Sequence, residues 1–264
     1  MSFYTKYLNL TNMYNSFVCV GLDSDMHKLP KSVMKERNPA LVFNKRIIDE
    51  TCEHCGCYKL NFAFYLAQGV AGIEAIRETI NYIPNAIPTI IDIKAGDIGN
   101  TMEQYSTGVY HYFDADAMTI NILMGSDVVD ACLKRNESFA FALAITSNNS
   151  AQDYFYHDDL YKKFAKYIAQ AGEEKLGAVV GATRVEDLAT MRNLMPKTIF
   201  LIPGVGAQGG DLQAVCKHAR ASSENPLFLI NSSRGIIFAD DSENFAKTAG
   251  KETLKLKELI NNNL

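Results

Sequence analysis

Short apolar runs rich in β-branched and aromatic residues recur eight times along the chain, each followed by a longer stretch with helical periodicity. The runs are Phe17 to Leu22, Cys57 to Phe62, Thr89 to Ile93, Ala117 to Asn121, Phe139 to Ile145, Ala178 to Gly181, Thr198 to Ile202 and Leu227 to Asn231. Between them apolar residues recur three and four apart, as in Leu41 to Cys52 and Val70 to Ile83, which gives a helix one apolar face. Strands with so little in–out alternation are expected to be buried on both sides, as in a parallel sheet covered by its own crossover helices. Eight βα units in 264 residues predict a closed (β/α)8 TIM barrel. An open doubly wound sheet usually has only about five or six strands. The preceding segment, Ser2 to Asn15, has helical character and is expected to cap the bottom of the barrel. Without a Gly/Ser/Pro-rich linker or a shift in composition, residues 1–264 read as a single barrel domain.

Charge narrows the range of partners. The 26 Lys and Arg residues stand against 30 Asp and Glu, giving a net charge of −4, and the basic residues are scattered. A nucleic-acid-binding surface would need them clustered. No apolar run approaches the ~20 residues of a membrane-spanning helix, and the first residues lack a basic stretch followed by an apolar one. A cytoplasmic location is the resulting expectation. There the six cysteines remain thiols, and a chain of this length buries a core without disulfides. Cys52, His54, Cys55 and Cys57 have a spacing that invites zinc, but no later Cys/His pair completes a four-ligand set, so no metal site is expected.

In such a barrel the working residues come from the C-terminal ends of the strands and the loops that follow. Those ends carry Gly21-Leu-Asp23, Lys59-Leu-Asn61, Asp92-Ile-Lys94-Ala-Gly-Asp97-Ile-Gly-Asn-Thr101, Thr146-Ser147-Asn148, Pro203-Gly204-Val-Gly206-Ala-Gln208-Gly209-Gly210-Asp211 and Asn231-Ser-Ser233-Arg234-Gly235. Asp92 and Lys94 lie two apart, on the same side of the pleat, and both are expected to face the barrel mouth. Lys59 and Asp97 offer them further partners. Burying such charges is costly unless they neutralise one another or serve a ligand. A structural ion network and a catalytic array both satisfy that condition. A lysine beside carboxylates stays protonated, which suits a proton donor better than a Schiff-base nucleophile. The Gly-rich turns after strands seven and eight let backbone N–H groups approach an anion, and Arg234 and Gln208 add donors, which together point to a phosphate site.

The run from Asp92 to Thr101 resembles the catalytic motif of the orotidine 5′-phosphate decarboxylase family, with two aspartates around a lysine and one of the two three residues beyond it. The other strand-end motifs follow in the family's order, from residue 18 to 237. The resemblance implies cofactor-free decarboxylation of orotidine 5′-phosphate to UMP, the last step of pyrimidine synthesis, by a monofunctional homodimer. By matched position, Lys94 would donate the proton to C6 and Asp92 would sit beside the substrate carboxylate. Asp97 and Thr101 would reach in from the second subunit. Asp23 and Lys59 would hold ribose hydroxyls, Asn61 would lie near the charged array, Ser147 would read the pyrimidine edge and Ile98 would pack on the ring. Pro203 opens the loop expected over the phosphate, which Gln208, Arg234 and the N–H of Gly235 would bind. The five histidines fit no catalytic pattern, and the stretch from Asn148 to Asp159 reads as a loop leading into a helix.

Two other readings share the barrel. A magnesium-dependent sugar-phosphate decarboxylase or aldolase carries the same Asp-x-Lys-x-x-Asp pattern, though Lys59-Leu-Asn61 and Thr146-Ser147-Asn148 suit a nucleotide better. A barrel that only binds nucleotides or a protein would have no reason to keep a lysine between buried carboxylates.

Overall fold

The computed structural model describes residues 1–135, 137–181, 184–204, 211–222 and 224–264. The strands are β1 (Val18–Gly21), β2 (Cys57–Asn61), β3 (Thr89–Ala95), β4 (Ala117–Ile120), β5 (Phe139–Ile145), β6 (Leu176–Val180), β7 (Phe200–Pro203) and β8 (Phe228–Ser232). They close into a barrel in sequence order, each parallel to its neighbours, with β8 returning to β1. The helix α1 (Phe3–Tyr14) precedes β1, and α2 (Pro39–Thr51) follows it; α3 (Phe62–Leu66) and α4 (Val70–Tyr82) follow β2. Next come α5 (Gly99–Thr107), prolonged by a π turn over Gly108–Tyr112, and α6 (Ser126–Cys132). Two short 3-10 turns, Asn149–Asp153 and His157–Asp159, lead into α7 (Leu160–Gln170), as expected for a loop running into a helix. The outer layer is completed by α8 (Val185–Leu194), α9 (Leu212–Ala219), α10 (Arg234–Ile237) and α11 (Phe245–Asn261).

Local chemistry explains the element ends. Asn38 caps α2 by accepting from Leu41 N at 3.2 Å, with Pro39 preset for the first helical position. All seven residues of β5 are buried, and the strand matches the predicted run. β6 starts two residues earlier than the pattern suggests, because Gly177 weakens the apolar signal there. Its missing side chain has a use: a Cβ at Gly177 would lie 2.6 Å from the Phe141 ring, which fills the barrel interior.

α1 closes the bottom of the barrel by inserting two aromatic side chains. Phe3 stacks on Phe139 at 4.7 Å between ring centroids and meets Phe141 edge-on at 5.2 Å. Tyr7, also fully buried, donates its hydroxyl to Phe228 O at 3.3 Å. Lys6 then fastens the helix through a 2.8 Å ion pair to Asp116. These rings join the apolar interior formed by Cys19, Cys57, Ile90, Leu143, Val179, Leu201 and Leu229. Replacing Phe3 by Ala is expected to destabilise the fold by about 3–5 kcal/mol, the usual cost of removing a buried ring. Urea unfolding measures this, and a loss under about 1 kcal/mol would show that α1 does not plug the barrel.

Candidate active site

The inward rows of the barrel change character along their length. Cys19, Cys57 and Ile90 belong to the apolar interior, and two residues further on β1, β2 and β3 stand Gly21, Lys59 and Asp92. The strand ends enclose a cavity of about 450 Å³ with Leu143, Val179 and Leu201 as its apolar lining. Asp23, Lys59, Asn61, Asp92, Lys94, Ser147, Pro203 and Arg234, all predicted as site residues, line it. Thr119, Thr146, Asn148, Gly204, Asn231, Ser232 and Ser233 line it as well.

Asp92 is the hub. Its Oδ2 accepts from Lys59 Nζ at 3.0 Å and its Oδ1 from Lys94 Nζ at 2.6 Å, while Asp23 Oδ1 lies 3.8 Å from Lys59 Nζ. Lys59 is 4% exposed and Asp92 9%, whereas the Lys94 side chain is 48% exposed and opens to the cavity. Burial opposes ionisation of Asp92, but the attraction of Lys59 and Lys94 outweighs it and holds the carboxyl well below the usual carboxylate range. Burial likewise disfavours the Lys59 ammonium, and Asp92 and Asp23 more than compensate, raising its pKa above the ordinary lysine value. The charges of Asp92 and Lys59 are therefore fixed at neutral pH.

A bulge in β3 creates this geometry. Ile91 pairs with Met118 and Ala95 with Ile120, so Asp92, Ile93 and Lys94 together face the single residue Thr119. Lys94 takes up a left-handed backbone conformation, φ 50°, which is rare for a side chain of its kind. Thr119 was not singled out by the sequence; the available signal was a hydroxyl at an inward position of an apolar strand.

Several polar atoms in the cavity have no hydrogen-bond partner among the described residues. Asp23 Oδ1, Asn231 Oδ1 and Ser233 Oγ are buried without a hydrogen bond. Unsatisfied buried acceptors are uncommon in folded proteins, and their clustering beside a cavity marks a place where a ligand supplies donors. Gly21 is required here, since a Cβ would lie 2.9 Å from Ser233 Cβ and 3.2 Å from Asn231 Oδ1. At the other rim, Gly204 has φ 84°, and Arg234 begins α10 with Gly235 after it. Gln208 lies outside the described residues.

Asp97 lies apart from this chain's own charged array. After the left-handed turn at Lys94 the chain rejoins β4 at Ala95, so Asp97 sits past the strand end, where its Oδ1 accepts from Ile98 N at 2.8 Å. Neither it, nor Ile98 (50% exposed), nor the exposed Thr101 lines this chain's own cavity. Among the described residues no cluster of three or more His, Cys, Asp or Glu side chains has metal-site geometry. Cys55 and Cys57 are buried, and burial pushes the Cys55 thiol up to about 12.

A closed (β/α)8 barrel with a charged, ligand-ready cavity at the strand C-termini defines a barrel enzyme. Residues 16–249 match the orotidine 5′-phosphate decarboxylase / HUMPS family, and the chain belongs to it. It is 44% identical to the orotidine 5′-phosphate decarboxylase of Christiangramia forsetii over 243 residues, 89% of each chain. It is 38% identical to that of Halorubrum lacusprofundi, with 99% of each covered. The structure of Leishmania donovani OMP decarboxylase superposes with a TM-score of 0.82 at 29% identity, covering 99% of both chains.

The ion network also links the site to stability. Asp92→Asn leaves Lys59 buried with its nearer counter-ion gone and is expected to destabilise the protein by about 3–5 kcal/mol at pH 7. Because the folded-state pKa of Asp92 is depressed, this contribution is present above the ordinary value of 3.8 and is lost as pH falls below it. Urea unfolding of both proteins at pH 7 and pH 3 tests this: the gap between them should narrow at pH 3. A gap independent of pH would mean that Asp92 carries no charge at pH 7.

Proposed function

We propose that the chain decarboxylates orotidine 5′-phosphate to UMP, with Lys94 as the proton donor. The observation that carries this reading is the line Lys59, Asp92, Lys94, in which a carboxylate kept ionised by two ammonium groups sits on the wall of a cavity. When the C6 carboxylate leaves as CO₂, the bonding electron pair stays on C6, in the ring plane, where the pyrimidine π system cannot spread it. A preorganised positive charge must stabilise that carbanion. The Lys94 ammonium supplies the charge and then the proton, and its half-exposed side chain can recover a proton from water. Asp92 is placed beside the departing carboxylate. Its own charge is fixed by Lys59, so no reorganisation is needed as the reaction proceeds.

The rest of the cavity accounts for the remainder of the nucleotide. Asp23 and Lys59 take the ribose hydroxyls, with the unpaired Asp23 Oδ1 as an acceptor. Ser147 reads the pyrimidine edge, and Asn61 lies near the charged array. Arg234, with Pro203, Gln208 and the N–H of Gly235, binds the phosphate. Asp97 and Thr101 serve the cavity of a second copy in a homodimer, with Ile98 on the same segment packing on the ring, which fits their position outside their own cavity. The magnesium-dependent alternative is disfavoured because the two ammonium groups that flank Asp92 repel a dication. One domain over 1–264 and a cytoplasmic location belong to the same proposal. No described helix is long and apolar enough to cross a membrane.

In excess EDTA, purified protein should shift the ultraviolet spectrum of orotidine 5′-phosphate to that of UMP, as the ring loses its C6 carboxylate, whereas activity that disappears with the chelator would favour the magnesium reading. Lys94→Ala should be folded by circular dichroism and lose more than about nine-tenths of kcat. Mixing it with inactive Asp97→Ala should restore part of the activity, since each heterodimer holds one intact site. No recovery despite demonstrated subunit exchange would place Asp97 in its own chain's reaction.

Arg234→Ala should weaken the phosphorylated substrate by roughly 2–4 kcal/mol in kcat/KM while leaving the slow turnover of phosphate-free orotidine almost unchanged. Equal losses on both substrates would remove the phosphate assignment.

A further inference from the structure

We infer that Thr119 is a positioning residue for the decarboxylation, setting the aim of Lys94 and Asp92 through one hydroxyl; this rests on the function proposed above. The bulge in β3 interrupts the ladder with β4 between the Ile91–Met118 and Ala95–Ile120 pairs. Within that gap the Lys94 N–H donates to Thr119 Oγ1 at 2.9 Å instead of to a β4 carbonyl. The same hydroxyl donates its proton to Asp92 Oδ1 at 2.8 Å. A hydroxyl has one proton and two lone pairs, so it can perform both tasks at once, which neither an ammonium nor a methyl could do.

The geometry has a direct effect on the chemistry. Lys94 sits in a left-handed conformation, and the donated N–H is the bond that holds its backbone to β4 at that point. Asp92 Oδ1 receives Thr119 Oγ1 and Lys94 Nζ together, so the oxygen that faces the proton donor is fixed from behind. Thr119 is 1% exposed and its chain neighbours are buried, so its rotamer is set by packing. Its β-branched shape also suits the strand, which a serine would fill less well.

The test is kinetic and uses three proteins. Thr119→Val keeps the shape and removes the hydroxyl; Thr119→Ser keeps the hydroxyl and removes the methyl. With orotidine 5′-phosphate, Thr119→Val is expected to lose about tenfold or more in kcat while KM stays within about threefold. Thr119→Ser is expected to remain within about threefold of wild type in kcat. An unchanged kcat in Thr119→Val would overturn the inference. So would a fall of the Ser variant to the level of the Val variant, or a Val variant unfolded by circular dichroism, since each would make Thr119 a packing residue only. Wild-type protein inactive on the substrate would instead overturn the decarboxylase reading itself, so the two failures are distinct.

Discussion

A carboxylate that has lost most of its water remains ionised only if opposite charge replaces the water, and Asp92 meets that condition with Lys59 on one oxygen and Lys94 on the other. The organisation of the barrel mouth follows from this pairing. Lys59 is itself buried and needs Asp23 as a second counter-ion, which draws the end of β1 into the network. Lys94 meets Asp92 where β3 bulges, and a hydroxyl on β4 takes the N–H that the bulge leaves out of the ladder. One buried charge thus ties four neighbouring strands into one arrangement.

Buried charge need not mean chemistry, and the same protein contains the contrast. Arg192 on α8 is buried and donates to the carbonyls of Ala219, Met195, Thr198 and Leu227, with its guanidinium 3.7 Å from the Phe200 ring centroid. Burial lowers its pKa to about 9. It lines no cavity wall found around the strand ends, and its hydrogen bonds lead only to backbone oxygens. Such a group clamps the chain between β6, β7 and β8. The Asp92 network differs in the two respects that separate a structural ion cluster from a working one: its outer lysine is half open to a cavity, and acceptors beside it are left unpaired.

The apolar runs made the eight strands legible, because a parallel strand buried on both faces has few polar residues to blur it, and the rule that sites lie at strand C-termini located most of the cavity wall. Spacing in sequence could not show how the backbone turns. Asp92 and Lys94 read correctly as neighbours on one side of the pleat, but the inversion at Lys94 and the three-against-one bulge depend on pairing with β4. For the same reason Thr119 looked like an ordinary strand residue. Asp97 stands three residues from Lys94 in sequence, yet the chain has by then returned to the ladder and carried it away from the array. Arg192 gave no signal at all, since its partners are backbone carbonyls, and every sequence offers those.

The two ends of the barrel therefore do opposite things thermodynamically. At the mouth, a left-handed non-glycine residue costs on the order of 1–3 kcal/mol. Each unpaired buried polar atom there costs a further ~1–3 kcal/mol. These are the features that hold donors and acceptors ready for a ligand. At the bottom, Phe3 and Tyr7 fill the barrel axis, Phe139 and Phe141 pack against them, and the removal of a Cβ at Gly177 gives the rings their space. Burial of each large side chain there contributes roughly 1.5–3 kcal/mol, enough to offset the strain at the mouth. Because the apolar layer of Leu143, Val179 and Leu201 lies between the two ends, the mouth can carry strained and unpaired groups while the plug below it keeps the strands in register.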